Sequence, residues 1–159
     1  MSEARKIRIA VNGYGVIGKR VVDAAMRQDD MELTGVADIA TDWRAGVIGA
    51  KGIRLFAANN EVAKGMRDAG HDVSGVLDDL LAASDIVVDC TPKRVAAQNV
   101  PRYRELGIKF IVHGGEKHEV TGHSFVADVS YATAVGREGT RVVSCNTTSI
   151  VRTLGALKR

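Results

Sequence analysis

Short apolar runs alternate along this chain with stretches whose apolar residues recur every three or four positions. Ile7 to Val11 is apolar apart from Arg8 and breaks at Asn12-Gly13, the pattern of a short buried strand. From Val16 to Gln28 the residues Val16, Ile17, Val21, Val22, Ala25 and Met26 gather on one face of a helix. MELTGVAD, residues 31–38, is a second strand. Strand, glycine loop, helix and strand in under forty residues form a βαβ crossover.

The alternation continues. TDWRAGVIGA is expected to be a helix capped by Thr41, IRLFAA a strand, NEVAKGMRDAG a helix capped by Asn60 and stopped at Gly70, and VLDDLLAAS a further helix. DIVVDCT, residues 85–91, reads as a buried strand, and Thr91-Pro92 as the cap and first turn of a helix. Pro101 predicts two short helices in KRVAAQNVPRYRELG, the second capped by Asn99. IKFIV and TRVVS are the remaining strands, and NTTSIVRTLGAL the final helix. The fold class this predicts is α/β: a Rossmann-type doubly wound parallel sheet, one dinucleotide-binding domain over residues 1–159.

GYGVIG, Gly13 to Gly18, matches G-x-G-x-x-G between a strand and a helix. The first glycine allows the turn, the second lets backbone approach a pyrophosphate, and the third lets helix pack on strand. Asp38 ends the second strand twenty residues beyond Gly18, where it can accept from ribose hydroxyls. A carboxylate there favours NAD and repels the 2′-phosphate of NADP. Arg44, close in sequence, partly offsets it and leaves NADP use open.

Composition adds limits to this picture. The chain has 159 residues, 45% hydrophobic and 26% charged, which suits one folded domain and not a disordered segment. A formal charge of +3 spread over scattered Lys and Arg, with three Phe, three Tyr and one Trp, argues against a nucleic-acid partner. The first residues run into the glycine loop without the pattern of a signal peptide, and no run is long enough for a membrane helix. A cytoplasmic location without membrane contact is expected. Cys90 and Cys145 are far apart in sequence and fit reduced thiols.

Cys145 follows a buried strand and opens a helix, so its thiol sits where amides and macrodipole favour the thiolate. Thr147, Thr148 and Ser149 line the same helix start and suit a phosphate. Cys90, inside DIVVDC, reads as a packing residue.

The segments VNGYGVIGKRVVDA, QDDMEL, DIVVDCTP, HGGEKHE and RVVSCNTT occur in this order across nearly the whole chain. In that set the chain resembles the N-terminal half of the archaeal-type (type II) phosphorylating glyceraldehyde-3-phosphate dehydrogenases. The resemblance implies a cytosolic, oligomeric enzyme that oxidises an aldehyde with NAD(P) and phosphate. The thiolate at Cys145 would attack the aldehyde, hydride would leave to the nicotinamide, and phosphate would resolve the thioester. It also implies that Gly13, Tyr14, Gly15, Val16 and Ile17 hold the pyrophosphate and that Thr91, Pro92 and Gly114 adjoin the nucleotide. Asn146, Thr147 and Thr148 would line the substrate or phosphate site.

Two departures stand out. Asp38-Ile39 replaces the Lys-Thr pair common in those enzymes, which supports NAD. Ser149, Ile150 and Val151 replace the Gly, Leu and Cys of the common CNTTGLCR pattern. His113, His118 and His123 are spaced five apart, which gathers them on neither a helix nor a strand face, so no metal site is expected. Neither His118 nor Glu116 is assigned a part in the chemistry.

The resemblance implies a second domain that supplies the general base, and this chain alone is expected to bind cofactor with little turnover. A separate second-domain chain, or self-association through a face such a domain covers, would then be its partner. Two other readings remain: a free-standing NAD-binding or sensing module, and a different Rossmann dehydrogenase of the semialdehyde or reductase kind. The second would share the glycine loop but not account for the ordered set ending in SCNTT.

Overall fold

The computed structural model describes residues 5–113 and 115–158, which fall into two compact units that divide after Cys90. In the first unit come β1 (Ile7–Asn12), α1 (Val16–Ala25), β2 (Met31–Asp38), α2 (Trp43–Ala50), β3 (Leu55–Ala57), α3 (Asn60–Asp68), β4 (Gly75–Val76), α4 (Leu77–Ala82) and β5 (Ile86–Asp89). The strands lie in the order β4-β3-β2-β1-β5, and these neighbours pair in parallel. Continuous apolar runs such as Val87-Val88 fit strands covered on both faces. Helices dock by narrow apolar faces: Val22 and Ala25 from α1, Ala45 and Ile48 from α2, Ala63 and Met66 from α3, all buried.

The expected caps shift by one residue. Asp42, not Thr41, caps α2, accepting from the Arg44 amide, while Thr41 gives its carbonyl to His71 Nε2 at 3.0 Å. Asn59, not Asn60, caps α3: its backbone is extended and its side chain accepts from the Val62 amide. The stop at Gly70 stands, with φ +85° and its amide on the Arg67 carbonyl.

The second unit contains α5 (Val95–Glu105), β6 (Lys109–Val112), a 3-10 turn (His118–Val120), β7 (Ser124–Phe125), α6 (Ala127–Ala134), β8 (Gly139–Val142) and α7 (Cys145–Leu157). β8 lies between β6 and β7, parallel to both. The Phe110 ring rests on the backbone of β8, where a Cβ on Gly139 would lie 2.1 Å from it. Two expectations fail here. Thr91-Pro92 does not open a helix: α5 starts at Val95, behind Arg94 in the left-handed region at φ +75°. Pro101 does not split α5, whose inner residues Ala96, Val100 and Tyr103 are all buried. The packing of that face outweighs the hydrogen bond that Pro101 cannot donate.

Candidate functional site

β1 is the strand from which the order runs outward in both directions, β2 on one side and β5 on the other. Its last residue, Asn12, stands level with Ala37 and Asp89, so three parallel strands end together beneath the glycine loop. The carboxyl edge at such a reversal is where open α/β sheets bind ligands.

The three glycines of the loop occupy different environments. Gly13 has φ +94° and its amide donates to Ala37 O at 2.7 Å, making the turn off β1. A Cβ on Gly18 would lie 1.9 Å from the Gly13 carbonyl oxygen, so only glycine fits there. A Cβ on Gly15 would meet nothing within 4 Å, and Gly15 itself is the N-cap of α1 with no side-chain cap bond. The helix start is thus open on the side from which a phosphate would arrive. Val16 and Ile17, in the first turn, are exposed although apolar. These features fit a dinucleotide pyrophosphate.

Asp38 is bound more tightly than a free ribose acceptor. Its Oδ2 accepts from the Tyr14 amide at 2.6 Å, and its Oδ1 from the amides of Ile39 and Ala40 at 2.8 Å each. A carboxylate has about four acceptor positions, so one is left for a hydroxyl. Asp38 therefore also ties the glycine loop to the end of β2. Arg44, the suspected compensating cation, is committed elsewhere: its Nε and Nη2 donate to the two Asp42 oxygens, each at 2.9 Å. That pairing holds the Asp42 carboxyl below its ordinary range. Lys19 is the cation beside Tyr14, its ammonium 5.7 Å from that ring and 5.9 Å from the ring of Trp43.

Cys90, at the end of β5, has its thiol pushed up to about 12 by burial and then by the Asp89 charge. It is a packing residue beside Gly18, whose added Cβ would lie 3.6 Å from the Cys90 Cβ.

In the second unit Cys145 is the first residue of α7 and is exposed, its Sγ 3.9 Å from Asn146 Oδ1. Ser144 caps the helix. Its Oγ accepts from the Thr147 amide and meets the Thr147 hydroxyl at 2.9 Å, while its carbonyl takes the Thr148 amide. Thr147 is thus a capping partner, and Asn146 is the polar side chain beside the thiol. Thr91 and Pro92 lie in the segment before α5, and Gly114 falls outside the described residues.

The three histidines part company. His123 is buried, its Nδ1 2.7 Å from Thr140 Oγ1 and its Nε2 3.0 Å from Thr133 Oγ1. His118 is exposed, with Nδ1 3.0 Å from Ser124 Oγ. The 113–118 segment matters instead through Glu116, which sequence reasoning left without a role. Glu116 is 4% exposed; its carboxylate accepts from the amide of left-handed Arg94, and its carbonyl accepts from Arg141 at 2.7 Å. It fastens the segment after Pro92 to β8, four residues before Cys145. No pattern in the sequence marks this, because each of the two contacts has a main-chain group on one side.

Comparison with known proteins places these features. A family model described as "Dihydrodipicolinate reductase, N-terminus" matches residues 7–119, which takes in the glycine loop and stops before the cysteine turn. A glyceraldehyde-3-phosphate dehydrogenase of Pyrococcus abyssi is 47% identical over 153 residues, 96% of this chain and 46% of the relative. That of Methanothermobacter thermautotrophicus is 49% identical over 148 residues, 93% of this chain and 44% of the relative. The chain spans about half the length of the curated relatives it matches. Among solved structures, an aspartate semialdehyde dehydrogenase from Vibrio cholerae superposes with TM-score 0.62 at 14% identity, covering 96% of this chain and 46% of that one. The dehydrogenase WlbA from Bordetella pertussis, in complex with NADH, gives 0.51 at 23%, covering 69% and 27%. These two likenesses show the fold alone: an α/β fold of the Rossmann type.

Proposed function

The chain belongs to the dihydrodipicolinate reductase N-terminal family, and from that membership and its likeness to archaeal glyceraldehyde-3-phosphate dehydrogenases we propose that it is the cofactor-binding, cysteine-bearing part of a phosphorylating glyceraldehyde-3-phosphate dehydrogenase. The observation that carries the cofactor half is the glycine turn: positive φ at Gly13, contact at Gly18, open space at Gly15, and Asp38 fastened to the loop. The backbone of Gly13 to Ile17 binds the pyrophosphate, and the remaining acceptor position of Asp38 takes a ribose hydroxyl. NAD is preferred over NADP, since a 2′-phosphate would meet the Asp38 carboxylate while Arg44 is held by Asp42. When bound, the cofactor supplies a hydride acceptor.

Cys145 is the nucleophile. Its thiolate attacks the aldehyde carbon, and Asn146 orients the thiol and the developing oxyanion from the first turn of α7. Proton removal needs a base, and the thiol's neighbour is a neutral amide. Loss of general acid–base help typically costs about 10² to 10⁴ in rate. The chain by itself therefore binds NAD and turns over slowly. A polypeptide covering the part of the relatives that this chain does not span is the probe for such a base.

Calorimetric titration with NAD and NADP tests the first half. Tighter binding of NAD supports it; equal binding, or a preference unchanged in Asp38→Ala, removes the argument from Asp38. Dehydrogenase assays with and without the added polypeptide test the second half. Absence of any gain on mixing favours the competing reading, a free-standing NAD-binding module.

A further inference from the structure

Trp43 is the single tryptophan of the chain and is 70% exposed, and Ile39, directly after Asp38, is 71% exposed. An aromatic side chain of that size ordinarily contributes burial to a fold. Trp43 contributes none to the docking of α2, which packs through Ala45 and Ile48; two residues from Ala45, Trp43 projects from the other side of the helix. Its ring has a cationic neighbour. The Lys19 ammonium lies over it, and over the ring of Tyr14, whose amide is bound to Asp38. Through Lys19 and Tyr14 the indole is linked to the loop that Asp38 fastens.

We propose that Trp43 is the stacking platform for the adenine of the dinucleotide, with Ile39 as an apolar edge. The inference rests on the dinucleotide reading above and adds to it the residue that recognises the base. Adenine is attached next to the ribose carbon that carries the 2′-hydroxyl, so a ribose held by Asp38 places the base among the side chains that follow Asp38 in the chain. The large exposed apolar side chains among them are Ile39 and Trp43. Lys19 occupies one face of the indole, and the base takes the exposed one. No direct hydrogen bond to the base is required, since stacking accepts any purine π-face.

A lone tryptophan is its own reporter. In the unmodified chain, its fluorescence is titrated with NAD, ADP-ribose and nicotinamide mononucleotide, alongside calorimetry. Saturable quenching by NAD and ADP-ribose, and none by the mononucleotide, is the expected result. Trp43→Ala is expected to weaken NAD and ADP-ribose about 5- to 100-fold, the range seen when a stacking aromatic is truncated, and Trp43→Phe by less. If calorimetry shows NAD bound while the fluorescence does not change, or if Trp43→Ala, folded by circular dichroism, binds NAD as tightly as the parent, the stacking proposal is overturned and the dinucleotide reading survives. If NAD does not bind at all, the dinucleotide reading falls and takes this proposal with it.

Discussion

Gly15 and Gly18 share a motif but not a constraint, and substitution separates them. Gly18→Ala pushes a methyl group into the Gly13 carbonyl and is expected to cost about 3 kcal/mol or more, with loss of NAD binding. Gly15→Ala meets open space, so the melting temperature should hardly move, while NAD affinity should fall if the methyl group enters the proposed phosphate site. Thermal melts and calorimetry on the pair distinguish a packing glycine from a ligand glycine. Asp38 behaves differently again. Asp38→Ala removes the acceptor of three backbone amides, and bonds to a charged group contribute about 1.5–3 kcal/mol. It should therefore destabilise the loop as well as relax the NAD preference. A preference that relaxes with no change in melting temperature would show that the three amides find other partners. The glycine turn was legible in the sequence because a positive φ and close packing need glycine at fixed positions. Lys19, Trp43 and Glu116 were not, because each acts on a group far away in the chain or on main-chain atoms.

Elements with a strong apolar period were readable, and those without one were not. β1 and β2 fall where their apolar runs put them. β7 has two residues, and α6, kinked at Ser130 and with no buried residue, has no stripe to detect. Both exist because β8 provides an edge to pair with and because Ser130 Oγ bonds the Val126 amide. α5 is the opposite case, a local signal overruled. Pro101→Ala should let residue 101 donate to the Ala97 carbonyl and raise stability by about 1–2 kcal/mol, measured by urea unfolding. Unchanged or lower stability would mean that Pro101 restricts the unfolded chain by as much as it costs the helix.

At the scale of the molecule, pH and thiol chemistry give separate readouts. Burial, then the charges of Arg137 and His118, holds the His123 imidazole below its ordinary 6.5. The unfolded chain therefore binds a proton there that the folded chain refuses, so stability is full above about 6.5 and declines as pH falls toward the lowered value. Melting temperature should drop between pH 7.5 and 5.5, and His123→Gln should flatten that drop. Asp85 acts lower. Arg8, through two side-chain bonds and its amide, holds the Asp85 carboxyl well below the carboxylate range, so that contribution is lost only as pH falls below about 4. Among the two thiols, iodoacetamide at pH 8 should label exposed Cys145 and spare Cys90 until the chain unfolds, as mass spectrometry would show. Labelling of Cys90 at an equal rate would contradict the raised pKa of its half-buried thiol. No helix among the described residues is long and apolar enough to cross a membrane.

The sequence by itself determined the succession of parallel strands and helices, the glycine turn and the position of Cys145 at a helix start. These follow from apolar period, backbone freedom and capping, which act within a few residues. Only the tertiary structure decided that Pro101 stays inside one helix, that Asp38 anchors the loop through three amides, and that Arg44 is spent on Asp42 while Lys19 lies over Trp43. Those outcomes depend on which distant groups meet, and a buried face or a fixed amide contributes more than local preference can oppose.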